Sequence, residues 1–154
     1  MDFKTTRPCR ATEYSHINQV VLDTDTWEAS TAFYLEQLAQ QNQIIGYVRN
    51  DHLGLAIPYE YQGVDHSYEP DFLVRVAEGQ TVILETKGYI DNQTRAKHDA
   101  ATRWVTAANN WGELGEWKFV VVRDPHEMAG QLKTVLPAIN CLVFPGSASS
   151  AKTL

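Results

Sequence analysis

Two short apolar runs on either side of a turn constrain this chain more than any other feature. Phe72-Leu73-Val74-Arg75-Val76 and Thr81-Val82-Ile83-Leu84 flank the polar stretch Ala77-Glu78-Gly79-Gln80. Runs this rich in Val, Leu and Ile around a turn that contains Gly predict a β-hairpin. The hairpin ends on charge. Asp71 opens its first strand, and Glu85 and Lys87 close the second. Alternation along a strand puts Glu85 and Lys87 on one face and turns Thr86 to the other. Two carboxylates and an ammonium at one edge of an apolar sheet are costly unless they are paired or bound to a metal.

The chemistry that suits this set is metal-assisted phosphodiester hydrolysis. Mg²⁺ prefers oxygen ligands, commonly one or two carboxylates completed by water and substrate phosphate, and Asp71 with Glu85 supplies that pair. Lys87 beside them is placed to orient the attacking water or to offset charge that grows in the transition state. A simpler reading treats the same residues as a solvated hairpin end in which Lys87 pairs with Glu85.

At 154 residues the chain is one domain with room for a sizeable core. No stretch approaches the roughly 20 apolar residues of a membrane span, so no membrane association is expected. The N-terminus lacks a signal-peptide core, and Cys9 and Cys141 are isolated, which points to a reducing, cytoplasmic setting. The net charge of −6 opposes unaided DNA binding, because phosphate neutralisation supplies most of that affinity.

Read in order, residues 1–14 are an irregular segment, 15–140 the folded domain and 141–154 a tail that is disordered at its end. Asn18 to Leu22 reads as a short edge strand. A helix is expected from Thr26 to Gln41, its buried stripe formed by Trp27, Thr31, Tyr34, Leu35 and Leu38. Asp25 and Glu28 have capping-box spacing, yet Glu28 also lies at the rim of the face that packs on the sheet. It is therefore a cap or a metal ligand. Strands at residues 44–49 and 53–59, joined by Asn50-Asp51-His52, extend a mainly antiparallel meander. The following loop holds His66, either solvated or in contact with substrate. A second helix over residues 93–110 carries Ala101, Trp104, Val105 and Ala108 on its stripe and Lys97 at its rim, where the amine snorkels or meets a phosphate. Trp117 to Val122 is expected as a central strand reached by a crossover helix, and a last helix spans 125–136. No Gly-rich phosphate loop or zinc-type Cys/His spacing is present.

Pro70-Asp71 followed fourteen residues later by Glu85-Thr86-Lys87 resembles the PD-(D/E)xK nuclease superfamily. The run Ser15-His16-Ile17-Asn18, Trp27-Glu28, Tyr47-Val48-Arg49-Asn50, Ile57-Pro58-Tyr59, Tyr68-Glu69-Pro70-Asp71-Phe72, Leu84-Glu85-Thr86-Lys87-Gly88, Lys97, Trp104 to Asn109 and Gly115-Glu116-Trp117 looks like the C-terminal endonuclease domain of type III restriction enzyme Res subunits and related helicase-nucleases. The resemblance covers about residues 15–123. It implies an α/β restriction-endonuclease-like fold, an αβββαβ core with a mixed central sheet flanked by helices. It also implies an Mg²⁺-dependent DNA endonuclease, with Mn²⁺ as a substitute. Carried over, the catalytic residues are Asp71, Glu85, Lys87 and Glu28. The metal ligands are Asp71, Glu85, Glu28 and Thr86 through its carbonyl, and Lys97, Tyr68 and His66 contact substrate. The implied partners are double-stranded DNA, an upstream helicase/ATPase region and a modification subunit, which would hold the DNA that this acidic chain cannot. Two rivals are a nuclease-fold module that has lost cleavage and serves docking or DNA binding, and a glycosidase with paired carboxylates, which leaves Lys87 without a task.

Overall fold

The computed structural model describes residues 4–21, 26–51, 53–77 and 79–135. The chain starts with a small antiparallel ladder of β1 (Cys9–Ala11) on β2 (Gln19–Val21). Residues 1–14, expected to be irregular, thus contribute a strand. Cys9, Arg10 and Ala11 are all exposed, so no burial pattern marks it and backbone pairing alone defines it.

Helix α1 (Thr26–Gln40) follows the expected stripe, with Thr31, Leu35 and Leu38 buried. Trp27, the first residue of that stripe, is 40% exposed. Asp25, the expected cap, lies outside the described residues. Next come β3 (Gly46–Arg49), then β4 (Ile57–Tyr61) and β5 (Val64–Tyr68). The hairpin expected at residues 72–87 is β6 (Phe72–Ala77) on β7 (Gln80–Thr86), with Phe72 opposite Leu84 and Val74 opposite Val82. Helix α2 (Asn92–Trp111) crosses over to β8 (Glu116–Val122), parallel to β7. A 3₁₀ turn, Pro125–Glu127, leads into α3 (Met128–Val135). The expected tail at 141–154 lies outside the described residues.

The molecule is mixed α/β. Its main sheet has the order β3-β6-β7-β8, antiparallel except for the β7–β8 pair, and β4–β5 is a separate ribbon. This corrects the expected meander. β3 pairs with β6 rather than with β4, and the expected loop before Glu69 is occupied by β5. The turn between β4 and β5 is Gln62-Gly63, both with positive φ (52° and 75°), which is the backbone of a type I′ hairpin. β8, expected in the middle, forms the edge of the sheet among the described residues.

Strand alternation divides the core in two. Phe72, Val74, Val82, Leu84, Val120 and Val122 pack with Leu35 and Leu38 of α1 and with Met128 and Leu132 of α3. Ile83, on the opposite face of β7, packs with Ala100 and Ala101 of α2 and with Ile57, Tyr59 and Tyr68 of the ribbon. Burying each large apolar side chain contributes about 1.5–3 kcal/mol. The crossover ends where Glu116 N donates to the Gly79 carbonyl at 2.7 Å. A Cβ at Gly115 would lie 2.3 Å from that oxygen, and Gly115 has φ of 77°, so only glycine allows β8 to start beside the β6–β7 turn. Among the described residues no helix is long and apolar enough to cross a membrane.

Candidate metal centre

The ends of β6 and β7 bring Asp71 and Glu85 together. One step beyond the Phe72–Leu84 pair, Asp71 N donates to Glu85 Oε2 at 3.4 Å, and Asn50 N holds the Asp71 carbonyl at 2.9 Å. The Asp71 side chain is fixed separately: Oδ2 accepts from Thr86 N and from Thr86 Oγ1, both at 2.8 Å. Thr86 therefore takes part in the site through its hydroxyl and amide, where period-2 alternation alone turns it away. Asp71 Oδ1 and Glu85 Oε1 accept no hydrogen bond among the described residues. One oxygen of each carboxylate is anchored and the other is left for a ligand.

Glu85 is 8% exposed, and its carboxyl is pushed up to about 7 by burial and then by the charge of Asp71, against the bonds from Tyr68 and Asp71 N and the pull of Lys87. A carboxylate that is hard to ionise beside a second carboxylate is what a nearby cation would relieve. Lys87, exposed, continues the parallel pairing, with its N donating to Val122 O at 3.1 Å. Its side chain is close enough to favour the Glu85 anion.

Tyr68, expected at the substrate, is buried, and its hydroxyl donates to Glu85 Oε2 at 2.8 Å. Burial and then the neighbouring Glu85 charge hold that phenol protonated, so it serves as a fixed donor. Lys97 Nζ stands 5.8 Å from the Tyr68 ring centroid and 5.9 Å from that of Tyr59, within cation–π range. His66 lies on β5, stacked on Tyr59 with centroids 5.2 Å apart. Tyr59 accepts from Gln93 Nε2 at 2.8 Å. Lys97 thus shares the ring of the Glu85 donor, and His66 stands one ring further out, on Tyr59.

Glu28 is engaged elsewhere. Arg49 Nη2 meets Glu28 Oε2 at 2.6 Å, Arg49 Nε meets Asp51 Oδ2 at 3.1 Å, and Arg49 Nη1 donates to Val21 O. This buried guanidinium ties α1, β2 and β3 together. Among the described residues no group of three or more His, Cys, Asp or Glu side chains converges on one point, so the acids available together are Asp71 and Glu85.

Sequence reasoning missed three further features. Tyr68 as the Glu85 donor was hidden because it comes from β5, which the sequence alone presents as a loop. His98 of α2 is half-buried against Phe119, with Nε2 unpartnered among the described residues. Burial holds its imidazole below the ordinary range, and Lys87, Lys97 and Arg123 act in the same direction against Asp99, so three cations gather near this sheet end. The third is Trp27, whose ring edge (Cζ2 and Cη2) lies 3.6 Å from where a Cβ would stand on Gly88. Asp91 N-caps α2, accepting from Thr94 N at 2.7 Å, a cap that its position before the helix makes legible. Comparison with family models, with curated proteins and with solved structures finds no significant match.

Proposed function

We propose that the chain is an Mg²⁺-dependent DNA endonuclease domain of PD-(D/E)xK type, the cleavage module of a type III-like restriction system. The observation that carries this reading is the carboxylate pair. Asp71 and Glu85 are locked together at the end of an apolar hairpin, each with one oxygen unengaged, and an exposed lysine follows two residues later. The order of the main elements, α1, then β3, β6 and β7 antiparallel, then α2 and a parallel β8, supports it by resembling the αβββαβ core, with β4–β5 as an insertion.

The donor set fits a hard cation. Two carboxylates with water and phosphate oxygens complete an Mg²⁺ shell without a third acid, and the Thr86 carbonyl is a further candidate. When bound, the ion would supply Lewis-acid polarisation of the phosphate and a more acidic water. Asp71 and Glu85 would hold it, Thr86 orients Asp71, and Tyr68 keeps Glu85 in place and favours its anion. Lys87 offsets charge developing on the phosphate, and Lys97 attracts the flanking backbone. An upstream helicase region and a modification subunit would bring the DNA, which accounts for an acidic nuclease domain.

The test is nicking of supercoiled plasmid by the purified chain in Mg²⁺ or Mn²⁺ and in chelator. Cleavage requires the metal, and Asp71→Ala and Lys87→Ala each lower it at least about 100-fold with the circular dichroism unchanged. Wild-type nicking by either variant sinks the assignment.

A further inference from the structure

Two large aromatic side chains stand in solvent near Gly88, three residues after Glu85. Trp27 is 40% exposed and Tyr89 is 79% exposed. Tyr89 follows Gly88, the residue directly after Lys87, and the Trp27 ring edge stands where a side chain placed on that glycine would touch it. Single exposed aromatics are common on protein surfaces. Here two of them lie next to Gly88, just past the strand that carries Glu85, and one belongs to the first turn of α1, where Thr31, Leu35 and Leu38 of the same stripe are buried and Tyr34 is half-buried.

The charges around them are few and local. Lys87 and Arg123 are exposed and Lys97 is half-buried, all three close enough to act on His98 beside Asp99, and Asp91 lies within reach of Lys87 and Lys97, while the whole chain carries −6. A duplex hides its bases and offers two phosphate rows, so a protein holds it chiefly through many cations. An unpaired strand exposes base faces, and each base stacked on an aromatic ring contributes to binding without further charge. Two exposed rings and three cations match the second ligand and not the first.

We infer that this site takes an unpaired DNA strand, with bases stacked on Trp27 and Tyr89 and the intervening phosphate led past Lys87 to Asp71 and Glu85. The inference rests on the endonuclease reading and narrows its substrate from double-stranded DNA to a strand already opened. Lys97, held over Tyr59 and Tyr68, meets the backbone on the far side of the pair.

The experiment is fluorescence anisotropy with labelled oligo-dT and with a duplex of equal length. It uses the full chain carrying Asp71→Asn, so that no probe is cut during the titration. Oligo-dT is expected to bind at least about 10-fold tighter than duplex. Trp27→Ala weakens oligo-dT by about 5- to 150-fold, the range of one lost base stack, Tyr89→Ala weakens it similarly, Trp27→Phe keeps most of the affinity, and duplex binding does not change. Tyr89 is so exposed that its variant keeps the fold even where Trp27→Ala does not. Equal affinity for the two probes, no binding to either, or unchanged oligo-dT binding by Tyr89→Ala together with a folded Trp27→Ala overturns the inference. Cleavage by the unmutated chain is scored separately. Metal-dependent cleavage with no strand preference in binding leaves the endonuclease standing and removes this substrate. Strand preference without metal-dependent cleavage does the reverse.

Discussion

Two β-hairpins among the described residues, β6–β7 and β4–β5, are of similar size and built on opposite principles. In β6–β7 the residues on one face are sealed between the sheet and α1, with Phe72, Val74, Val82 and Leu84 at 0% exposure. In β4–β5 only Ile57, Tyr59 and Tyr68 are buried, while Val64 beside the turn is 56% exposed. The first hairpin is scaffold that ends in function. The second is a ribbon laid on α2 whose main contribution to the site is one hydroxyl, that of Tyr68. A site residue can therefore be held by a weak element, provided that its own ring is buried where it acts.

Stability should separate the two hairpins most. Phe72→Ala removes a fully buried ring at the junction of α1 and the sheet and is expected to cost about 3–5 kcal/mol. Val64→Ala, at the exposed end of the ribbon, is expected to stay within about 0.5 kcal/mol. Urea denaturation of the two variants measures both. Comparable losses would mean that the ribbon is part of the cooperative core and would break the contrast.

The same contrast explains what could be read from the sequence. The β6–β7 hairpin, α1, α2 and the crossover to β8 were legible because their burial imposes strong periodicity. Val82 and Leu84 face one core and Ile83 the other, which a run of apolar residues announces. The ribbon was legible only at its start, where the strand expected at 53–59 overlaps β4. Its strands carry Glu60, Asp65 and Ser67, and its turn sets Gln62 at positive φ, a position where Asn, Asp or Gly would have given the signal. The carboxylate pair was legible because Asp71 and Glu85 sit at matched ends of one hairpin. The Arg49–Glu28 ion pair and the Tyr68–Glu85 bond were not, since each joins residues from elements whose relative placement only packing decides.

A smaller effect should appear in the pH dependence of stability. The Glu85 carboxyl titrates near 7 in the folded chain, against 4.5 for an ordinary glutamate. The folded state therefore holds a proton that the unfolded state releases earlier. Its contribution is fully present below about pH 4.5 and is lost as pH rises through about 7, to the extent of about 3 kcal/mol. In chelator, thermal unfolding of the wild type should weaken over that window relative to Glu85→Gln, which cannot ionise but still accepts from Tyr68. Parallel curves for the two proteins would show that Glu85 is solvated like any surface acid. Saturating Mg²⁺ should reduce the difference, because a cation favours the anion.

The finest test sets two tyrosines of the ribbon against each other. Tyr68 donates to Glu85 and Tyr59 accepts from Gln93, so each →Phe variant keeps its ring and loses one hydrogen bond, at about 1 kcal/mol. Their effects on chemistry should differ. The Tyr68 bond favours the Glu85 anion, so without it the carboxyl moves further up and the acid limb of the cleavage profile shifts to higher pH. Tyr68→Phe should then be a few-fold slower near neutrality and recover most of that loss in alkaline buffer, while Tyr59→Phe leaves the limb in place. Coincident limbs for both variants and the wild type would reduce Tyr68 to packing. A limb shifted by Tyr68→Phe alone would show that the weak ribbon acts on the strong hairpin through one proton-bearing oxygen.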